Sequence, residues 1–215
     1  MNNLKNTEHI FDSFAQAYQE KYMDLEPYHS SLDQFPEYLN PNSKLLDIGC
    51  GPANISVYLL KRLPGLQIVG IDLSTKMLEL AKRNIPSAAF IKMDCREIDK
   101  LEEKFDALVC GFCLPYLSEP EVSHFIKNAA ALLNVEGVIY LSTMVSKSYI
   151  SQMVGPSQGG EQRLLTHYHS EEFLRQTLEA NAFKILREQH MQEQERDGIE
   201  FHDHIIIARK SAEKL

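Results

Sequence analysis

An α/β fold is what this sequence predicts: a doubly wound, mostly parallel seven-stranded sheet with helices on both faces, an antiparallel strand at the edge and a helical cap at the N-terminal side. Three observations predict it. From Lys44 onward, short Ile/Leu/Val-rich runs alternate with amphipathic segments, which is the signature of a parallel sheet with crossover helices. The first run ends in a spaced glycine pair, Gly49-Cys50-Gly51. Residues 1–40 show helical spacing and no strand alternation.

Taken in order, Ile10, Phe11, Phe14, Ala17, Tyr18 and Tyr22 fall close to a 3.6-residue period, so residues 1–40 read as a helical cap, punctuated by Pro27, Pro36 and Pro41. The strands follow as Leu45 to Ile48, Gln67 to Ile71, Ala88 to Met93, Ala107 to Cys110 and Val138 to Ser142. The helices between them have legible starts. Ser118 opens a capping box with Glu121, with Pro120 in the first turn and Val122, Phe125, Ile126, Ala129 and Leu133 along one face. Ser74 and Ser170 begin two more. Thr143 to His169 reads as a long polar connection containing Gly155-Pro156 and Gly159-Gly160, on the substrate side of the fold. Phe183 to Arg187 and His204 to Ala208 then form an antiparallel pair at the sheet edge.

The chain of 215 residues is 44% hydrophobic and 24% charged, which suits one globular domain and excludes a disordered or fibrous chain. Its formal charge of −8, with basic residues scattered, argues against a nucleic-acid partner. Its apolar runs fall far short of the ~20 residues of a membrane-spanning helix. The first twenty residues lack the pattern of a secretion signal, so a cytoplasmic address is expected. Cys50, Cys95, Cys110 and Cys113 show no disulfide spacing and read as reduced thiols, the Cys-x-x-Cys pair included.

The chemistry concentrates after the first strand. Gly49 and Gly51 permit a tight turn and close approach of a ligand to the backbone, and the next helix offers free amides. Asp72 stands at the tip of the second strand, 23 residues after Gly49, where a carboxylate accepts hydrogen bonds from a ribose diol. An adenosine-containing ligand follows. The third glycine of the dinucleotide fingerprint would fall at Asn54, which disfavours NAD.

With these residues in place the chain resembles the class I S-adenosylmethionine-dependent methyltransferases over nearly its whole length. Leu46-Asp47-Ile48-Gly49-Cys50-Gly51 resembles the family's first motif, Asp72 its ribose-binding acid, and Lys92-Met93-Asp94-Cys95 the third-strand segment whose Asp accepts the adenine amino group. Phe105 to Phe112 and Gly137 to Leu141 resemble the fourth- and fifth-strand motifs. Two departures, Pro52-Ala53 after the glycine loop and Asn181-Ala182-Phe183 where many members read Ala-Gly-Phe, bear on subfamily.

The resemblance implies S-adenosyl-L-methionine as cofactor and methyl transfer to an O or N atom of a small molecule, with no metal required. It assigns the cofactor to Gly49, Cys50, Gly51, Asp72, Leu73, Met77, Asp94, Cys95 and Phe112, with Tyr18 and Tyr22 capping it. Asp47 either binds the ligand or organises the glycine loop. Tyr116, the aromatic of Cys113-Leu114-Pro115-Tyr116, is either a substrate-side residue or a packed ring, and Phe11 and Phe14 read as packing. His167 of His167-Tyr168-His169 is a candidate proton acceptor. His202-Asp203-His204 reads as structural, both histidines on one strand face and Asp203 on the other. Two other readings stay open: an NAD-dependent oxidoreductase, and a non-catalytic cofactor-binding or interaction protein. The chain is expected to work as a monomer or homodimer.

Overall fold

The computed structural model describes residues 3–155 and 162–212, with side chains from residue 6. Helix α1 (Asn3–Tyr22) is followed by a 3-10 turn, by α2 (His29–Gln34) and by a second 3-10 turn at Phe35–Tyr38. Both turns carry a proline near their start, which fixes φ where no amide donor is needed. In α1 the helical spacing holds, although Ala15 takes the buried position and Ala17 faces out.

Strands and helices then alternate: β1 (Lys44–Ile48), α3 (Asn54–Arg62), β2 (Gln67–Asp72), α4 (Thr75–Asn84), β3 (Ala89–Lys92), β4 (Phe105–Gly111), α5 (Glu119–Leu132) and β5 (Leu133–Val145). After these come β6 (Ile150–Val154), β7 (Leu164–Tyr168), α6 (Glu171–Ala180), β8 (Phe183–His190), β9 (Gln194–Arg196) and β10 (Ile199–Lys210). The main sheet runs β3-β2-β1-β4-β5-β10-β8, and β9 pairs with β10 outside that path. β1 to β5 pair in parallel, and β10 runs antiparallel to both β5 and β8. The seven strands and the antiparallel edge pair are those read from the sequence.

Strand alternation splits the core into two layers. Leu46, Ile48, Leu108, Ile139 and Ile206 pack against Phe125, Ile126 and Ala129 of α5 and Leu174 of α6. Leu45, Val109, Tyr140, Ile205 and Ile207 pack against Leu32, Phe35 and Leu59 on the other face. The helix starts are capped as their serines predict. Ser74 accepts from Met77 N, Ser170 accepts from Phe173 N, and the Glu121 carboxylate accepts from Ser118 N at 2.7 Å. Leu133, expected as the last helical residue of that stretch, instead opens β5.

The stretch after β5 corrects the sequence reading. In place of an irregular connection, β6 and β7 form a two-stranded antiparallel sheet with Ile150 opposite Tyr168 and Val154 opposite Leu164. Period-2 pairing between segments of mixed polarity leaves little trace in hydrophobicity alone. Pro156, Gly159 and Gly160 lie outside the described residues.

Both departures from the family pattern fall where the backbone is left-handed. Ala53 precedes α3 at φ +63°, and Ala182 follows α6 at φ +62° with its N–H donating to Glu179 O. A Cβ in that conformation costs about 1 kcal/mol, and glycine relieves it. Ala182→Gly is therefore expected to stabilise the protein by about 1 kcal/mol, read as a higher urea midpoint at unchanged slope.

Candidate active site

A cavity of about 560 Å³ opens at the carboxyl ends of the parallel strands, where the strand order reverses between β1 and β4. Its floor is the turn after β1. Gly49 (φ +65°) and Gly51 (φ +53°) carry the chain through two left-handed positions. A Cβ on Gly49 would come within 3.3 Å of Cys113, and one on Gly51 within 3.7 Å of the Tyr18 ring. The glycines therefore keep side-chain atoms out of a narrow floor.

Asp72 organises this turn. Its carboxylate accepts from Gly51 N and from Ser74 N, both at 2.8 Å. Burial nonetheless raises its pKa to about 6, because backbone amide donors do not fully replace water around a carboxylate. Acceptor capacity remains for a ligand's hydroxyls. Asp47 is 2% exposed, accepts from Ser56 Oγ at 2.6 Å, and is pushed by burial to about 7. That bond ties the end of β1 to the first turn of α3, so Asp47 braces the loop while also lining the cavity.

Leu73 and Met77 line the cavity beyond Asp72, and Met93, Asp94 and Cys95 line it beyond β3. Asp94 Oδ1 accepts from Arg96 N and Nη1, and Oδ2 accepts from Nη1 at 2.9 Å. One lone pair on Oδ2 is left for a donor such as an amino group. Arg96 was not foreseen. It also donates to Glu121 at 2.7 Å and to the carbonyl of Tyr116 at 3.2 Å, joining the end of β3, the start of α5 and the turn after β4. The hydrogen bond with Cys113, together with burial, holds the Cys95 thiol well above the ordinary pKa, and the bond with Cys110, together with burial, does the same for Cys113 against the lowering effect of its bond with Cys95. All four cysteines are free.

Helix α1 forms the roof. Tyr18 and Tyr22 meet at 4.7 Å between ring centroids, and Phe11 meets Tyr116 edge-on at 5.3 Å. Phe11 and Phe14, read from sequence as packing, line the cavity as well. The roof is pinned by polar contacts: Asp12 accepts from Ser74 Oγ and from Lys76 N, and Asn84 Nδ2 donates to Gln19. Asn54, where a dinucleotide fingerprint has its third glycine, donates to Tyr22 O at 2.8 Å, so that place is filled by a side chain bonded to the roof.

The far wall comes from Phe112, Tyr116, Tyr28, Ser142, Met144, Thr166, Gln194, Arg196 and Asp203. Phe112 sits at φ +53°, a strained conformation for a non-glycine residue, and its ring meets Tyr28 at 5.4 Å. Tyr28 OH donates to Asp203 Oδ2 at 2.7 Å. The structure thus brings Tyr18, Tyr22, Gly49, Cys50, Gly51, Asp72, Leu73, Met77, Asp94, Cys95, Phe112 and Tyr116 around one cavity. It does not bring in His167. Alternation along β7 turns Leu164 and Thr166 inward and His167 outward, where its Nδ1 lies 2.7 Å from Tyr149 OH and its ring stacks near His169.

Sequence reading missed Tyr28, Arg96, Arg196 and the inward role of Asp203. Only for Asp203 was a signal present, since its alternation with two histidines set it on the opposite face.

Comparison with known proteins agrees with this geometry. Residues 45–137 match a family described as a methyltransferase domain. The Bacillus subtilis protein YqeM is 33% identical over 135 residues, 60% of this chain and 53% of that protein. A trans-aconitate 2-methyltransferase of Enterobacter sp. strain 638 is 37% identical over 101 residues, 47% of this chain and 39% of the relative. The chain thus spans about half the length, or less, of these relatives. Magnesium protoporphyrin IX methyltransferase of Synechocystis, solved with bound S-adenosylhomocysteine, superposes with a TM-score of 0.72 at 19% identity, covering 98% of this chain and 100% of that one. The cavity therefore lies in a fold shared with that methyltransferase, and residues 45–137 carry the match to the methyltransferase domain family.

Proposed function

We propose that the protein binds S-adenosyl-L-methionine in this cavity and transfers its methyl group to an O or N atom of a small molecule. One observation carries the reading: the glycine turn opens into a pocket whose ligand-facing charges are carboxylates and whose walls are aromatic. Asp47, Asp72 and Asp94 line the cofactor side together with Tyr18, Tyr22 and Phe112. Such a lining favours a cation, through both charge and ring faces, and opposes a pyrophosphate. Arg96, the basic side chain on that side, is committed to Asp94 and Glu121.

The residues fit the cofactor. Asp72 would accept the ribose diol, the remaining lone pair of Asp94 would accept the adenine amino group, and the turn at Gly49 and Gly51 would hold the amino-acid end. When bound, S-adenosylmethionine supplies a methyl group already activated on a sulfonium. The chain's own task is then alignment for in-line attack and exclusion of water. Tyr18 and Tyr22 roof the site, and Tyr116 with Tyr28 and Asp203 orients an acceptor entering beside the β6–β7 hairpin. His167 faces away, so the carboxylate available to an acceptor's proton is that of Asp203. A small-molecule acceptor is supported by the relatives, whose names specify trans-aconitate and magnesium protoporphyrin IX.

Calorimetric titration with S-adenosylhomocysteine, and with NAD in parallel, tests the cofactor. The expected result is micromolar or tighter binding of the first and none of the second. Binding of NAD alone would overturn the reading. Turnover of radiolabelled methyl donor against a panel of small acids and phenols then separates an enzyme from a protein that only binds the cofactor.

A further inference from the structure

On the opposite face of β10 from the cavity, three histidines and two glutamates converge. His204 of β10 stands directly opposite His190 of β8, and His202 is two residues further along the same face. Glu171, in the first turn of α6, reaches over them. Its Oε1 lies 3.0 Å from His202 Nε2 and its Oε2 lies 3.3 Å from His190 Nε2. One ligand atom from each of Glu171, His190 and His202 lies within 4.8 Å of the other two.

We propose that Glu171, His190 and His202 form a binding site for a divalent transition metal, Zn²⁺ being the ion that this donor set suits best. Two imidazoles and one carboxylate are a common zinc set. Metal–ligand bonds near 2.1 Å put tetrahedral neighbours about 3.4 Å apart, and each imidazole lies close to that distance from one of the two Glu171 oxygens, Oε2 for His190 and Oε1 for His202. The fourth position opens to solvent, since His190 and Glu171 are partly exposed.

A second, independent feature backs the site. His204 is fully buried, and neither of its ring nitrogens has a hydrogen-bond partner. It stacks on His190 at 4.6 Å between centroids, and its Nε2 faces Glu188 Oε1 at 3.3 Å, an oxygen that also lacks a hydrogen bond. Apart from this contact the His204 ring nitrogens and Glu188 Oε1 have no partner, a costly arrangement for buried polar groups. Beside a metal they make sense as the layer that fixes the His190 ring plane. The bound ion joins α6 to β8 and β10.

Titrating the metal-free 215-residue chain with zinc chloride, followed by calorimetry and by thermal unfolding, tests this. Support consists of one ion per chain at a Kd below about 50 µM, a higher Tm with zinc, and at least about tenfold weaker binding in both His202→Ala and Glu171→Gln. The exposed His9→Ala serves as the control that keeps the affinity. A Kd above that bound, or a loss smaller than tenfold in either variant that folds, overturns the site. Glu171→Gln preserves shape and hydrogen bonding, so it keeps the test decisive if His202→Ala does not fold. Because the readouts are metal affinity and Tm, the outcome is independent of whether the cavity transfers methyl groups.

Discussion

Asp72→Ala is expected to weaken S-adenosylhomocysteine binding about hundredfold, roughly the worth of two hydrogen bonds to an ionised acceptor. The fold should survive, because the carboxylate sits at a strand tip and its burial is itself costly at neutral pH. The same residue sets a pH dependence. With its pKa raised to about 6, Asp72 in the free protein is ionised at pH 8 and mostly protonated at pH 5. Protonation removes acceptor capacity, so affinity falls as pH drops through 6, by about tenfold between pH 8 and pH 5. Calorimetry across that range should show a larger step in the wild type than in Asp72→Asn, where Asp47, raised to about 7, still titrates. An affinity in Asp72→Ala equal to that of the wild type would remove the ribose role.

Arg96→Met should cost about 3 kcal/mol of stability, the largest effect expected of any single charge removal on this cavity. Asp94 is mostly buried, with 12% of its side chain exposed, and would lose its two hydrogen bonds to Nη1. Glu121, which also caps α5, would lose its bond to Nε. The Tyr116 carbonyl would lose its donor, so the substrate-side wall loosens too. Urea unfolding measures the first effect, and the ratio of kcat to KM for any acceptor found measures the second. A stability within 0.5 kcal/mol of wild type would show that the three elements hold each other without Arg96.

The parallel strands, the glycine turn and Asp72 were legible in the sequence because each depends on local pattern: a continuous apolar run, a residue pair permitting left-handed φ, an acid at a strand end. The floor of the cavity, the turn after β1 with Asp72 beside it, is made from those pieces. The acceptor side is assembled from Tyr28, Thr166, Arg196 and Asp203, scattered from residue 28 to residue 203, and nothing local marks them as neighbours. The β6–β7 hairpin escaped notice for a related reason, since its pairing crosses the stretch between Val154 and Leu164. His167 misled because its loop neighbourhood suggested function, while strand alternation turned it away. The histidine triplet was read one element at a time. Its partners His190 and Glu171 lie 12 and 31 residues before His202, and only sheet register and the placement of α6 join them.

The position of β10 also governs how the chain reaches this state. It is the last described element in sequence, yet it occupies an interior place, bonded along both edges by β5 and β8. During synthesis β5 and β8 are therefore complete while the slot between them is open, each presenting a row of unpaired amides and carbonyls. Edges of that kind recruit other strands, including those of neighbouring copies. Insertion of Ile205, Ile206 and Ile207 closes the slot and adds to both core layers at once, so the late, long-range step of folding also covers two of these exposed edges.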